Sequence, residues 1–423
     1  MVIIGKCVDY SSEGHGVVHL KEGTIFCYGL FLDEEAEIEI EYQRAGIKYG
    51  KVKKLITKSP HRIEPKCRVC SACGGCQFHQ LDYESELIYK QNKVKNAFKN
   101  IANIDIDVNP TIGMDNPYNY RNKIQMPFGL NKKKEIVSGF YKAKSHEIIP
   151  IDKCQIENEK ASEIIKQIKL LMKSMKISPY DEDNRTGIIR HILIRTSYYK
   201  DEIMLTLVTS IDSFPSRNNF VKALIKACPN ITTIVQNINT RDTNVILGEK
   251  ERVLYGKGYI VDSLCDISFH ISSKSFYQTN PVQTEKLYSK AIEYADIKKS
   301  DIVFDAYSGI GTIGLIASKY CKEVISVELV KEAYKNAIEN AKLNNINNFT
   351  PINKDATEYA LELANNNTKI DILFMDPPRK GSTTSFLDSV MKLKPRKIVY
   401  VSCDPATLAR DVKYLTKMYK IDK

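Results

Sequence analysis

The chain has 423 residues, a formal net charge of +11 at pH 7 and 11 cysteines. That length is enough for two or three domains with cores of their own. No run of about 18 apolar residues is present, which excludes a membrane-spanning helix. Met1–Gly5 leads into polar sequence rather than the apolar core of a secretory signal, so a cytoplasmic chain is expected. The positive charge is spread along the sequence and points to a polyanionic partner. Cysteines without a secretory leader point away from disulfides and toward metal or catalytic chemistry.

Residues 1–58 carry short alternating runs at Gly16–Leu20, Thr24–Gly29, Glu35–Tyr42 and Tyr49–Ile56. Turn residues separate them: Glu13-Gly14, Lys21-Glu22-Gly23 and Asp33-Glu34. Strands of this spacing predict a small five-stranded, OB-like barrel. Lys48, Lys51, Lys53 and Lys54 on its later strands either contact phosphate or simply solvate a face. The segment resembles a TRAM domain, an RNA-binding barrel attached to RNA-modifying enzymes.

The densest local pattern follows, with Cys67, Cys70, Cys73 and Cys76 inside one short stretch. Gly74 and Gly75 allow the backbone to wrap closely around a metal centre. Zinc suits four thiolates, but its sites usually join two knuckles across a longer spacer. A dense run with one remote cysteine, here Cys154, is more typical of an iron–sulfur cluster. Spacing alone does not choose three ligands from these four. The pattern Cys67-x5-Cys73-Gly-Gly-Cys76 with distant Cys154 resembles the 4Fe–4S site of the 23S rRNA uracil-C5 methyltransferase family. By position, the resemblance implies Cys67, Cys73, Cys76 and Cys154 as ligands and leaves Cys70 as an extra thiol. It implies a cluster that staples the fold and positions RNA rather than carrying electrons.

Beyond it, Leu87–Asn100 reads as a basic amphipathic helix, Lys160–Met175 as a second, and Gly187–Thr196 as a strand after the polar turn Asp181–Arg185. Arg121, Lys123, Lys142, Arg190 and Arg195, interleaved with Tyr120 and Tyr141, are candidates to hold phosphates and stack bases, or else line a solvated surface. Tyr120–Gln125, Gly187–Arg195 and Gln236–Asn239 resemble the family's central domain. Residues 59–268 are therefore expected to form an α+β RNA-binding domain with the iron–sulfur site.

Residues 269–423 hold the chemistry. Ile302–Gly314 reads as strand, glycine turn and helix, and Gly309, Gly311 and Gly314 match the spacing of a dinucleotide fingerprint. Asp305 and Ser308 interrupt that pattern. An acid at the strand end repels a pyrophosphate but suits the cationic amino-acid part of S-adenosylmethionine. The next strands end at Glu328, placed for two ribose hydroxyls, near Asp355, placed for the adenine edge, and at Asp376 in Asp376-Pro377-Pro378-Arg379. A last apolar run, Ile398–Val401, stops at Ser402-Cys403-Asp404-Pro405, which presents a thiol at the carboxyl end of a strand, where ligands bind in open α/β sheets. A Rossmann-like class I methyltransferase domain is expected.

Ser275–Pro281 resembles the family's F-x-Q-x-N segment, and its cofactor positions fall on Gln278, Tyr307, Glu328 and Asp376, with the nucleophile on Cys403. The thiol answers a chemical need: C5 of uracil is a poor nucleophile until a thiolate adds at C6 and creates an enolate. Asp376 suits the uracil N3–H, and Arg379 or Arg410 the enolate oxygen. The base must be unpaired or flipped out of its helix. In the family a Glu beyond the cysteine motif removes the C5 proton; after Asp411 only Val412–Lys423 follow, so the sequence is expected to be C-terminally short. The resemblance implies an enzyme that methylates C5 of a uridine in RNA, 23S rRNA first, and a monomer is expected. The alternatives are a tRNA uridine-C5 methyltransferase and a non-catalytic RNA-binding protein on the same scaffold.

Overall fold

The computed structural model describes residues 2–21, 23–142, 145–243 and 245–423; Glu22, read above as part of a turn, lies outside them. The chain packs as two units: Met1–Val94 with Val108–Gly113 and Ser138–Gln155, and Lys95–Asp107 with Met114–Val137 and Ile156–Lys423.

In the first unit, β1 (Val2–Lys6), β2 (Asp9–Tyr10), β3 (Gly16–Leu20), β4 (Gly23–Tyr28), β5 (Glu35–Arg44) and β6 (Ile47–Thr57) form a sheet in the order β1-β5-β6-β4-β3-β2. The edges β1 and β2 are almost continuous in the chain. Lys6 still pairs with Glu35 of β5, while Val8 N–H already donates to Val17 O on β3 at 2.9 Å. One stretch thus serves both edges and the sheet curls on itself around Val18, Ile25, Leu30, Ala36 and Ile38. Strand alternation supplies this core: in β5, Ala36 and Ile38 are buried while Glu35 and Glu37 are more exposed. Glu34, read as a turn residue, is fully buried; it accepts the Phe31 N–H and pairs with Arg62 at 2.6 Å.

The cysteine stretch contains a single short helix, α1 (Cys70–Cys73), followed by α2 (Tyr83–Ala97). The second starts earlier than its apolar pattern because Asp82 accepts the Ser85 N–H at 2.7 Å and caps it. It runs into a π-helical turn, Phe98–Ala102. Next come β7 (Lys123–Leu130), the antiparallel pair β8 (Ile136–Tyr141) and β9 (Ile148–Pro150), and α3 (Glu159–Ser174).

In the second unit, β10 (Ile189–Thr196), β11 (Ile203–Thr209), α4 (Arg217–Ala227), β12 (Thr233–Ile238) and β13 (Lys250–Tyr255) follow, with strand order β13-β12-β11-β10-β7. Every residue of β10 and β11 is buried, including Arg190 and Arg195. Arg190 forks onto Glu182 and donates to the Asn239 and Arg241 carbonyls; Arg195 donates to the Ser273 and Ser275 carbonyls. Both guanidinium groups serve the fold, which corrects their reading as phosphate contacts.

The hairpin β14 (Tyr259–Leu264) and β15 (Ile267–Ser272) leads to α5 (Pro281–Ala295), and then an alternating run of strands and helices completes the chain. These are β16 (Ile302–Ala306), α6 (Thr312–Ala317), β17 (Glu323–Val327), α7 (Lys331–Leu343), β18 (Phe349–Ile352), α8 (Ala356–Asn365), β19 (Ile372–Met375), α9 (Thr384–Leu393), β20 (Lys397–Tyr400) and α10 (Pro405–Leu415). The five strands form a parallel sheet, β18-β17-β16-β19-β20. Its central strands are apolar on both faces because helices cover both: Val303, Val324, Ile372 and Phe374 pack into one core and Phe304, Ile325, Leu373 and Met375 into the other. No helix among the described residues is long and apolar enough to cross a membrane.

Candidate active site

Strand register builds the site. Ala306 pairs with both Val327 and Met375, and Met375 pairs with Tyr400, so four parallel strands end on one line. The residues immediately past that line are Tyr307, Glu328, Asp376 and Val401, and Cys403 follows two positions further on. The Val401 N–H still donates to Met375 O at 2.9 Å, which keeps the thiol segment beside Asp376. Cys403 itself is exposed. The chain turns there because the Asp404 N–H donates to Ser402 Oγ at 3.1 Å, and Asp404 then caps α10 by accepting the Ala406 and Thr407 N–H groups. Of the five residues expected for catalysis and cofactor binding, four thus lie at or just past one sheet edge; Gln278 comes from elsewhere.

Tyr307 adopts a left-handed backbone, φ 63°, a conformation that a bulky side chain holds only where its surroundings impose it. Its ring packs on Phe386 at 5.3 Å and its hydroxyl lies 3.4 Å from Ser382 Oγ. Glu328 accepts the Gly309 N–H at 2.8 Å and the Val330 N–H at 2.7 Å, so it braces the glycine turn from the neighbouring strand. At Gly309, φ 57°, a Cβ would meet nothing within 4 Å, which leaves the backbone open to a ligand. Burial pushes the Asp376 carboxyl up to about 6.

Gln278 sits in the loop between β15 and α5, and three residues from outside that loop fix it. Arg195 holds the Ser273 and Ser275 carbonyls, Asn122 donates to Gln278 O at 3.1 Å, and Asn336 donates to Ser275 Oγ at 3.0 Å. The helix cap is Asn280, which accepts the Gln283 N–H, so the Gln278 side chain is not spent there; it hydrogen-bonds the Tyr288 hydroxyl. Sequence reading missed Asn122, Asn336 and Arg195 as anchors, because their partners are backbone carbonyls and a hydroxyl far along the chain.

Two acids differ from expectation. Asp305 is 1% exposed, accepts the Gly314 N–H at 2.9 Å, and burial raises its carboxyl to about 8. It pins the start of α6 instead of facing a ligand, and Gly314 is needed there because a Cβ would come 2.7 Å from Asp305 Oδ2. Asp355 accepts the Thr357 and Glu358 N–H groups and caps α8, so its carboxylate is engaged at that helix. Arg410 is likewise spent on Asp411 and on the Lys380 and Ser382 carbonyls, which removes it as an enolate partner.

A parallel sheet in this order, with helices on both faces, is a doubly wound α/β fold that binds ligands at its carboxyl edge, and the acid, glycine turn and thiol there suit a methyltransferase. Comparison with known proteins sharpens this. The family model described as tRNA (Uracil-5-)-methyltransferase matches residues 82–423. An uncharacterized RNA methyltransferase of Staphylococcus aureus is 40% identical over 420 residues, 99% of this chain and 93% of the relative. A second, from Clostridium tetani, is 42% identical over 413 residues, 97% and 90% of the two chains. Among solved structures, the Pyrococcus abyssi tRNA (uracil-54, C5)-methyltransferase in complex with S-adenosyl-L-homocysteine superposes with a TM-score of 0.79 at 26% identity, covering 100% of this chain and 95% of that one. The chain belongs to the RNA uracil-C5 methyltransferase family, whose methyl donor is S-adenosylmethionine.

Proposed function

We propose that this protein methylates C5 of a uridine in 23S rRNA through a covalent adduct between Cys403 and C6 of the base. The carrying observation is the exposed Cys403 thiol three residues past the end of β20, whose last residue Tyr400 pairs with Met375, the residue before Asp376. S-Adenosylmethionine, when bound, supplies the methyl group from its sulfonium; Gln278, Tyr307 and Glu328, with Asp376, are the residues assigned to hold it. The Cys403 thiolate adds to C6, and the C6–S bond formed pushes electron density onto C5, which takes the methyl group as its bond to the sulfonium sulfur breaks and a neutral thioether leaves. Asp376 accepts the uracil N3–H when ionised. A base removes the C5 proton, the C5–C6 double bond returns, and the thiolate leaves. The exposed position of Cys403 requires a base that is unpaired or flipped toward the sheet edge.

The same reading gives the first unit the role of gripping RNA, as a TRAM-like barrel with an iron–sulfur site, in a cytoplasmic monomer. Domains at 1–58, 59–268 and 269–423 follow from it. Donor chemistry supports the cluster: Cys67, Cys73, Cys76 and Cys154 are thiols outside any disulfide, all partly exposed and all in that unit. Gly75 leaves room beside them, since a Cβ there would lie 3.3 Å from Cys73 Sγ. Among the described residues, no three His, Cys, Asp or Glu side chains already form a metal-holding group. A 4Fe–4S cluster held by these four thiolates would act as a staple between Cys154 and the Cys67–Cys76 stretch.

A tRNA substrate is the second reading, favoured by the solved relative whose target is tRNA. Mapping 5-methyluridine in rRNA and tRNA from a deletion strain separates the two. Loss of a modified uridine in 23S rRNA is expected; loss confined to tRNA overturns the rRNA assignment.

A further inference from the structure

The loop after Asp376 and the helix after Cys403 are joined by one buried carboxylate. Asp411, on the second turn of α10, is 2% exposed. Its Oδ2 accepts the Tyr400 hydroxyl and the Ser382 N–H, each at 2.8 Å, and its Oδ1 accepts Arg410 Nε at 2.8 Å. Tyr400 ends the strand that delivers Cys403, and Ser382 closes the loop that begins at Asp376. Other groups on α10 claim the rest of that loop: Thr407 Oγ1 donates to Arg379 O at 3.2 Å, and Arg410 Nη2 donates to Lys380 O at 2.9 Å and Ser382 O at 3.3 Å. Gly381 has φ 74°, and a Cβ on it would lie 2.5 Å from Arg410 Nη2 and 2.6 Å from Asp411 Oδ2. The loop therefore lies against the helix as closely as a backbone can. Ser382 also reaches Tyr307, 3.4 Å away.

A buried carboxylate that satisfied only its own helix would need none of these partners. Here it takes donors from a strand end, a loop and its own helix together, and each of the three leads to a residue of the candidate site. We propose that Asp411 is a positioning residue: with Arg410 it fixes the register between the nucleophile segment at Cys403 and the cofactor loop at Asp376. The inference rests on Cys403 being the nucleophile.

Asp411→Asn tests it, because the amide keeps the size of the carboxylate but turns one acceptor into a donor. The full-length protein is incubated with S-adenosylmethionine and 5-fluorouridine RNA, whose C5 fluorine traps the adduct. Misplacement on the ångström scale is expected to slow adduct formation ~100-fold. The melting temperature is expected to fall somewhat, because buried donors from Tyr400, Ser382 and Arg410 lose an acceptor. Measured on the folded variant, S-adenosylmethionine affinity is expected to fall far less than the adduct rate, a split that a general loss of structure does not produce. Arg410→Lys, which keeps the charge and loses the fork, is expected to fall between wild type and Asp411→Asn. Wild-type adduct rates in folded Asp411→Asn overturn the inference. If that variant does not fold, Tyr400→Phe decides, since it deletes one donor to the carboxylate: slower adduct formation at unchanged cofactor affinity supports the inference, and an unchanged rate, or equal losses in both, overturns it. Absence of an adduct in the wild type defeats the nucleophile reading itself and this inference with it, and the Cys403→Ala control shows which thiol any adduct uses.

Discussion

Two cysteine-bearing stretches, Val399–Asp411 and Cys67–Cys76, have equally motif-like sequences, yet the chain supports them by different means. Around Cys403 the geometry is set by protein alone: strand register, the Asp404 cap and the buried Asp411 place the thiol segment before any ligand binds. Around Cys67–Cys76 there is one short helix with no buried residue, ended by Gly74 in a left-handed turn. The difference teaches where the ordering energy comes from. A nucleophile must be preorganised by the fold, whereas metal thiolates can be ordered by the group they bind, so that binding becomes part of folding.

The largest expected effect tests the first half of that contrast. Cys403→Ala removes the proposed nucleophile from an otherwise intact edge, and methyl transfer is expected to fall by about 10⁴-fold or more, the scale on which loss of a covalent nucleophile acts. Isothermal titration is expected to give S-adenosylmethionine binding close to wild type. A variant that retains more than a small fraction of activity would mean that C6 is attacked by another group.

Next in size is the Cys67–Cys76 stretch, with its proposed cluster. In Cys73→Ser, made anaerobically, the brown absorption of an iron–sulfur centre is expected to disappear, and RNA affinity to drop with it. S-Adenosylmethionine binding, assigned in this proposal to the strand-end site, is expected to persist. A colourless wild-type protein carrying zinc would replace the cluster assignment, and full RNA affinity without the cluster would remove its role in RNA binding.

A smaller effect concerns Asp376. Burial raises its carboxyl to about 6, and in the proposed reaction the ionised form is the one that accepts the uracil N3–H. In the free enzyme it is charged above that value and neutral below, so kcat/KM is expected to fall about tenfold per pH unit on the acid side of about 6. Asp376→Asn is expected to lower activity and abolish that acid limb. Survival of the limb in the variant would assign it to another group.

The sequence made the strand-end site legible for a physical reason. Strands buried on both faces read as apolar runs, so Val324–Val327 and Ile372–Met375 stand out, and the acid that follows each, Glu328 or Asp376, marks the edge. What stayed hidden was which polar groups are buried. Arg190 and Arg195 look like surface cations until carbonyls at Asn239 and Ser275 come beside them through the fold. Val2–Lys6 and Asp9–Tyr10 were not predicted as strands, because short edges gain their meaning only from the partners on either side. Arg410 reads as a partner of the enolate oxygen, and Asp411 only as the end of a motif, although together they fasten the loop.

Asp305 gives the smallest effect and the finest test of how far the sheet edge is organised by the fold itself. Its raised value of about 8 comes first from burial, with Asp376 and Glu328 adding to it, while the Gly314 N–H works the other way. A carboxyl that is near 3.8 when unfolded and near 8 when folded holds a proton in the native state that the unfolded chain has released. Its contribution to stability is therefore complete below about pH 4 and is lost as pH rises toward 8, with a slope of at most about 1.4 kcal/mol per pH unit. Asparagine accepts the same Gly314 N–H without the charge. Asp305→Asn is expected to flatten that part of the slope, leaving the shares of Asp376 and Glu157, whose burial acts in the same direction. Urea melts at pH 5 and pH 8 measure it: the variant gains on the wild type at the higher pH. Parallel slopes would mean that Asp305 is ionised in the fold, and that the glycine turn is held by a buried charge instead of a neutral acid.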